Sequence, residues 1–127
     1  MTEQNFIDLL QRIYPCEQSF TLKLTNRCCK TVLGTYNIKN RHIRIHNKDS
    51  TVLDCYYTAI HEYAHHLMYT KFNGQEYRPH GKDFHFVYNV LISMAIQKRL
   101  LPENLTDRSR HGSADPADEV ISRMLKC

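Results

Sequence analysis

The residues with the clearest capacity for chemistry lie in I-H-E-Y-A-H-H-L-M-Y-T-K-F-N-G-Q-E-Y-R-P-H-G-K-D-F-H, residues 60–85, which holds five of the eight histidines. Within it, His61, Glu62 and His65 form an H-E-x-x-H motif. Residues four apart on a helix lie about 5 to 6 Å apart on one face, so both imidazoles can reach one zinc ion. Zinc lowers the pKa of a bound water towards about 7, and a neighbouring glutamate can take its proton. The motif therefore predicts zinc-dependent hydrolysis, with Glu62 as general base.

A catalytic zinc site also needs a third protein ligand and an open fourth position. In a metzincin the third histidine would follow His65 by six positions, but this chain has Lys71 there, which excludes that class. The later glutamates are poorly placed, because Glu76 falls in a predicted loop and Glu103 follows the predicted end of the third helix. A later histidine is the better candidate.

His80 is the predicted third ligand. It immediately precedes Gly81 and a predicted helix start, where the backbone can turn sharply and direct the imidazole towards the motif helix. His66 lies about 100° from His65 around the helix, and His85 lies further into the next helix. Both are predicted to pack, to support a ligand or to face solvent.

Three helices are predicted to position these residues. Apolar residues at helical spacing predict a first helix that ends before Pro15 and a second that begins at a cap among residues 49–51 and stops at residues 73–74. The third runs from about Lys82 to Leu100. The positions predicted to be buried are Phe6, Leu9, Leu10, Ile13, Leu53, Tyr56, Ile60, Tyr63, Ala64, Leu67, Phe84, Val87, Tyr88, Leu91, Ile92 and Ala95.

Alternating apolar residues predict three short strands between the first two helices. F-T-L-K-L over residues 20–24 is one, and T-V-L-G-T-Y-N-I-K-N-R-H-I-R-I-H over residues 31–46 contains two more. Ile43 and Ile45 are predicted to face the core, and Gly34 indicates a bulge or the close approach of another backbone. The predicted fold class is α+β, with one small antiparallel sheet packed on helices that include the motif helix.

The chain has the size of one domain, with 127 residues and a mass of 15.0 kDa. We predict a folded domain over residues 1–102, followed over residues 103–127 by a polar connection and a short helix. This helix is predicted to begin at Asp115 and Pro116, and either docks on the domain or binds a partner. Its apolar stripe consists of Val120, Ile121, Met124 and Leu125.

The H-E-x-x-H motif and His80, fifteen positions after His65 in the form H-G-K-D-F, resemble the SprT-like metallopeptidases. Spartan-type proteases of DNA–protein crosslinks belong to this family. The likeness extends from roughly Phe6 to Leu100 and includes the G-T-Y segment with its hairpin. The combination of both motifs is more specific than either alone.

This resemblance implies a compact zincin-like fold of the minigluzincin type, with one zinc ion per chain held by His61, His65 and His80. It also implies that Glu62 is the general base in the hydrolysis of peptide bonds of protein substrates. In several family members these substrates are attached to DNA. The sequence departs from the longer members after His80, where Cys127 is the only cysteine and the cysteine zinc ribbon is missing.

A strand of the sheet is predicted to border the cleft, so that an extended substrate adds its backbone to the sheet. The ribbon over residues 34–45 is the predicted strand pair. A further donor commonly stabilises the oxyanion of the transition state. Tyr77, Arg78 and Tyr88 are candidates for that role, and no spacing rule chooses among them.

The same ribbon carries a strip of basic residues. Alternation places His42, Arg44 and His46 on the face opposite Ile43 and Ile45, where they could meet the phosphates of DNA or simply face solvent. The net charge of +4 is compatible with an acidic partner without requiring one.

Two other functions are consistent with the sequence. The three histidines could stabilise a non-catalytic zinc module that binds DNA or a protein partner, with a side chain such as His111 closing the fourth position. Alternatively, the motif match is accidental and the chain is a nucleic-acid-binding protein. Zinc content and an open fourth position separate these alternatives from the peptidase.

The cysteines and the N-terminus favour a cytoplasmic protein. The five cysteines are odd in number and include no C-x-x-C pair, which is typical of reduced thiols rather than of a disulfide framework. M-T-E-Q-N-F-I-D-L-L does not resemble a signal peptide, and no apolar run approaches the ~18 residues of a membrane span.

Overall fold

The computed structural model describes residues 2–29, 31–72 and 80–101. These residues form helices and strands in the order that the hydrophobic patterns predict. The elements are α1 (Glu3–Ile13), β1 (Thr21–Leu24), β2 (Gly34–Asn37), β3 (His42–Ile45), α2 (Val52–Leu67), a π-helical turn (Met68–Phe72) and α3 (Lys82–Gln97). The α+β class is confirmed.

The sheet is mixed, with the strand order β1-β3-β2. The short turn at residues 38–41 makes β2 and β3 antiparallel, with Tyr36 opposite Ile43. The segment 25–33 is longer and lets β1 pair with the other side of β3 in parallel, with Leu22 opposite Ile43. The prediction of an antiparallel sheet is therefore wrong for β1. Alternation indicates which face of a strand is buried, but not the direction of its neighbour.

One face of the sheet lies against the helices and the other is open to solvent. In the central strand, Ile43 and Ile45 are buried, while Arg44 between them is exposed. The helix α1 packs against β1, and α2 packs against β2 and β3. The prediction that both isoleucines face the core is confirmed.

Helix α2 lies at the centre of the molecule. It begins at the N-cap Thr51, whose Oγ1 accepts the backbone N–H of Asp54. From Tyr57 to Met68 every residue is buried, because the sheet, α1 and α3 all pack against this helix. The predicted stop at residues 73–74 lies outside the described residues, and the α-helix gives way to a π-helical turn at Met68.

The two other helices bury the predicted faces. All four apolar residues predicted on α1 are buried. Helix α3 buries Phe84, Tyr88, Leu91 and Ala95 and leaves Val87 and Ile92 partly buried.

Helix α3 ends at Gln97 instead of near Leu100. The Nζ of Lys98 then donates to the carbonyl oxygens of Arg12 and Ile13, which joins the ends of α3 and α1.

Among the described residues, no helix combines the length and apolar character needed to cross a bilayer. Residues 103–127 lie outside the described part of the chain, so the domain boundary and the C-terminal helix stay predictions.

Candidate metal centre

Three imidazoles converge between α2 and the start of α3. The Nε2 atom of His80 lies 3.1 Å from that of His61 and 3.2 Å from that of His65. In the described part of the chain the three form a group whose ligand atoms all lie within 4.8 Å of one another. Ligands in a tetrahedral zinc site, with zinc–nitrogen bonds of roughly 2.0–2.1 Å, lie about 3.3 Å apart. The donor type and spacing therefore fit one zinc ion, and the predicted convergence of His80 with the motif is confirmed.

The backbone at the start of α3 directs His80 towards α2. His80 adopts a left-handed conformation with φ of 61°, which is uncommon for a residue other than glycine. Gly81 is the N-cap of α3, and its carbonyl accepts the N–H of His85 in the first turn. The chain thus reverses at His80 and places its ring over the H-E-x-x-H face.

Phe84 packs against all three imidazoles. Its ring centroid lies 5.0 Å from that of His61, 4.3 Å from that of His65 and 5.3 Å from that of His80. The sequence analysis treated Phe84 only as a core residue. Its position in the first turn of the helix that directly follows His80 was the available signal.

Burial keeps these imidazoles neutral. Desolvation, followed by the neighbouring His65 and His80 rings, lowers the pKa of His61 to about 2. Desolvation, followed by His80, lowers the pKa of His65 to about 3. The pKa of His80 is also lowered, first by burial and then by His85. Neutral imidazole is the form that binds a metal, so the three side chains are in a ligating state at neutral pH.

Glu62 lies beside the three histidines. Its Oε2 is 3.8 Å from the Nε2 of His61, and its side chain is almost completely buried. Burial raises the pKa of this carboxyl to about 8. A cation bound by the imidazoles would favour the ionised form and lower that pKa. The carboxyl is therefore placed to exchange a proton next to a metal.

Strand β2 contacts α2 at Glu62 because residue 34 has no side chain. A Cβ atom at Gly34 would lie 2.6 Å from Thr58 Cγ2, 2.8 Å from the Arg44 carbonyl oxygen and 3.4 Å from Glu62 Cγ. The close approach predicted at Gly34 is thus present. It places β2, one of the two edge strands of the described sheet, along the site.

His66 belongs to a separate hydrogen-bonded group. Its Nδ1 lies 2.7 Å from the hydroxyl of Tyr36 and its Nε2 lies 3.1 Å from the carbonyl oxygen of Gln18. Because a carbonyl only accepts, Nε2–H donates to Gln18 and Nδ1 accepts from Tyr36. His66 thus connects α2 to β2 instead of joining the metal centre. No sequence pattern indicated the Tyr36 contact, which spans 30 positions.

The candidates for stabilising the transition state are Tyr77, Arg78 and Tyr88, and of these only Tyr88 lies in the described residues. Its ring centroid lies 5.6 Å from that of His61, and its hydroxyl is buried with no hydrogen-bond partner in the described part of the chain. The hydroxyl is not exposed in this structure, and the role of Tyr88 stays a prediction. Tyr77 and Arg78 lie outside the described residues, as does His111.

Of the comparisons with known proteins, one found a match. The model of the SprT-like family matches residues 3–107. No curated protein and no solved structure matches the chain.

Proposed function

This chain belongs to the SprT-like family, and on that premise we propose that it is a zinc-dependent metallopeptidase that hydrolyses peptide bonds of protein substrates. One observation carries the proposal: three neutral imidazoles converge within 4.8 Å of one another, with the buried carboxyl of Glu62 beside them. A site of this composition matches the requirements of hydrolysis by activated water.

The metal ligands are His61, His65 and His80, which would hold one zinc ion per chain. Zinc at this position supplies a Lewis acid that polarises a carbonyl group and acidifies water. Glu62 accepts the proton of the attacking water and delivers it to the amine that leaves. A base whose pKa lies near the working pH suits both transfers, and burial moves the pKa of Glu62 in that direction.

The substrate binds along the outer edge of β2, which pairs with no further strand in the described residues. The N–H of His46 donates to the carbonyl of Leu33, and hydrogen-bonded pairs alternate along an antiparallel ladder. The backbone groups of Gly34 and Tyr36 therefore point away from β3. They can pair with an extended peptide, and backbone pairing gives little selectivity for sequence.

The test is Glu62→Gln, which keeps the size of the side chain but removes the base. We expect hydrolysis of an unfolded protein substrate to fall about 10²- to 10⁴-fold, with about one zinc per chain retained by metal analysis. Glu17→Gln, at an exposed glutamate, is the matched control and keeps full activity. Equal rates for Glu62→Gln and the parent would show that the mechanism is wrong.

His80→Asn tests the ligand set. Asparagine tolerates the left-handed backbone of residue 80 better than most residues, so the fold is retained while the imidazole is lost. We expect zinc content to fall well below that of the parent. A non-catalytic zinc module, the alternative function, would lose zinc in the same way, but its parent protein would not hydrolyse any substrate.

We also propose DNA as a partner, bound by the open face of the sheet. Lys23 on β1 lies directly opposite Arg44 on β3 on this face. Like charges opposite each other destabilise a sheet, and neither residue has a carboxylate within ion-pair distance in the described residues. A phosphate would offset that repulsion.

Lys23→Gln with Arg44→Gln should weaken binding of a DNA duplex, whereas Arg12→Gln on α1 should not.

A further inference from the structure

A surface cavity lies beyond the metal centre, at the end of strand β2. Its volume is about 360 Å³, and it is bounded by the β2–β3 turn, the segment before β1 and the first residues after α2. The lining residues are Gln18, Ile38, Lys39, Arg41, Tyr69 and Thr70.

This cavity continues the line of the proposed substrate strand. Strand β2 begins at Gly34 beside Glu62 and passes Tyr36, which contacts His66 one turn further along α2. Ile38 is the first residue after β2 and lines the cavity. Since a strand rises about 3.3 Å per residue, the cavity lies roughly 13 Å from Gly34 along the strand.

The helix wall of the cavity leads back to the same site. Tyr69 follows His65 by four positions and lies in the π-helical turn that continues α2. Its neighbour Thr70 donates its hydroxyl to the His66 carbonyl. The cavity therefore lies at the C-terminal end of α2, about one turn beyond His65 and His66.

The other wall is cationic. The Nη1 of Arg41 donates to the Oε1 of Gln18 at 2.7 Å, which fixes the guanidinium at the cavity wall. Lys39 lies two positions earlier in the same turn. Across residues 2–29, 31–72 and 80–101, neither cation has a carboxylate within 4.0 Å. The donors of this wall are thus available to an anionic group.

We propose that this cavity is a specificity subsite for an acidic side chain of the substrate, three or four residues from the scissile bond. Ile38 and Tyr69 contact the aliphatic part of the aspartate or glutamate, while Lys39 and Arg41 bind its carboxylate. The role in cleavage rests on the proposed peptidase function, but the binding preference does not.

Binding is measured first, on the zinc-loaded Glu62→Gln protein, with labelled peptides that carry glutamate, glutamine or lysine at each position around a fixed centre. We expect the glutamate peptide to bind roughly three- to tenfold more tightly than the glutamine peptide, at one or two adjacent positions on one side of the centre. The preference should shrink as salt is added, since both cations are partly exposed.

Charge reversal gives the sharper result. Lys39→Glu with Arg41→Glu should make the lysine peptide the preferred one, whereas Lys48→Gln, at an exposed lysine outside the cavity, should leave the order unchanged. If the double variant unfolds, Arg41→Gln replaces it and should remove most of the preference for glutamate. Equal binding of the glutamate and glutamine peptides, or a preference unchanged in these variants, overturns the subsite.

Hydrolysis by the parent protein separates the two proposals. Cleavage of all peptides without any preference in binding refutes the subsite and supports the peptidase. A preference for glutamate in binding, without cleavage of any peptide, supports the subsite and refutes the peptidase.

Discussion

At the scale of single residues, the carboxyl of Glu62 couples the site to the stability of the fold. Burial raises its pKa from 4.5 to about 8, so between these values the folded, metal-free protein binds a proton that the unfolded chain releases. The contribution of Glu62 to stability is fully present below pH 4.5 and is lost as the pH rises through about 8. The protein without metal therefore becomes less stable, through this residue, towards alkaline pH.

Glu62→Gln should remove this dependence. With a chelator present, we expect the variant to gain stability relative to the parent between pH 5 and pH 8, by on the order of 2 kcal/mol. The lowered pKa values of His61 and His65 act in the opposite direction, but both proteins share them. Urea unfolding at the two pH values measures the difference.

Zinc supplies the control for this experiment. A cation beside Glu62 lowers the pKa of the carboxyl, so the gain of the variant should shrink when zinc is bound. A difference between variant and parent that stays constant from pH 5 to pH 8 without metal would contradict the account.

The hydroxyl of Tyr88 offers a prediction about stability alone. It is buried without a partner in the described part of the chain, and an unsatisfied buried donor costs roughly 1–3 kcal/mol. Tyr88→Phe should therefore raise the free energy of unfolding by about 1 kcal/mol. Tyr63→Phe is the matched comparison, because the Tyr63 hydroxyl donates to the carbonyl of Tyr14 and its loss should destabilise. A loss of stability in Tyr88→Phe as large as that in Tyr63→Phe would show that the hydroxyl has a partner.

At the scale of secondary-structure elements, the contact between β2 and α2 depends on a glycine. Gly34→Ala should force the strand away from the helix, since its Cβ would lie 2.6 Å from Thr58 Cγ2. We expect a loss of about 2 kcal/mol in stability and a larger relative loss of hydrolysis, because the edge strand is displaced from Glu62. Urea unfolding and peptide hydrolysis measure the two effects.

A double substitution checks the cause. Thr58→Ser removes the methyl group that meets the new Cβ but keeps the hydroxyl that donates to the Asp54 carbonyl. It should recover part of the loss in Gly34→Ala, while the contact with the Arg44 carbonyl limits the recovery. Thr35→Ala, on the exposed face of β2, should change stability by less than about 0.5 kcal/mol.

The sequence predicts local elements of this fold better than their pairing. The period of the apolar residues locates α1, α2 and α3, and Thr51 was among the predicted caps of α2. The parallel pairing of β1 was missed, because strand direction depends on the path of the segment 25–33 and not on alternation. The end of α3 was placed too late, since apolar Leu100 continues the helical pattern after the helix has ended.

The site was predictable where its geometry is local. Four-residue spacing alone places His61 and His65 on one face of α2, and the glycine after His80 indicated the turn that brings the third ring to them. The contact of Tyr36 with His66 was not predictable. It requires the strand and the helix to be packed together, and one sequence does not record which residues meet across such an interface.

At the scale of the whole molecule, the metal should stabilise the fold. The three ligands come from α2 and from the residue that precedes Gly81 and α3, so an ion held by them binds the folded chain in preference to the unfolded one. At a free zinc concentration of 100 times Kd, this linkage adds about 2.7 kcal/mol. Thermal unfolding should show a Tm that rises with zinc and falls with a chelator.

Variants of His80 and His85 identify which histidine binds the metal that raises the Tm. His80→Asn should abolish the rise in Tm with zinc, whereas His85→Ala should retain it, because His85 is not in the converging group. A rise that persists in His80→Asn would place the metal elsewhere.

The burial of every residue from Tyr57 to Met68 determines how long the two imidazoles on α2 stay together. Amide hydrogens in such a segment exchange with solvent only when the surrounding structure opens, and not by fraying of the helix. The two imidazoles of the motif therefore separate only in the rarest opening events of the domain. The pair of imidazoles on α2 therefore lasts as long as the folded state.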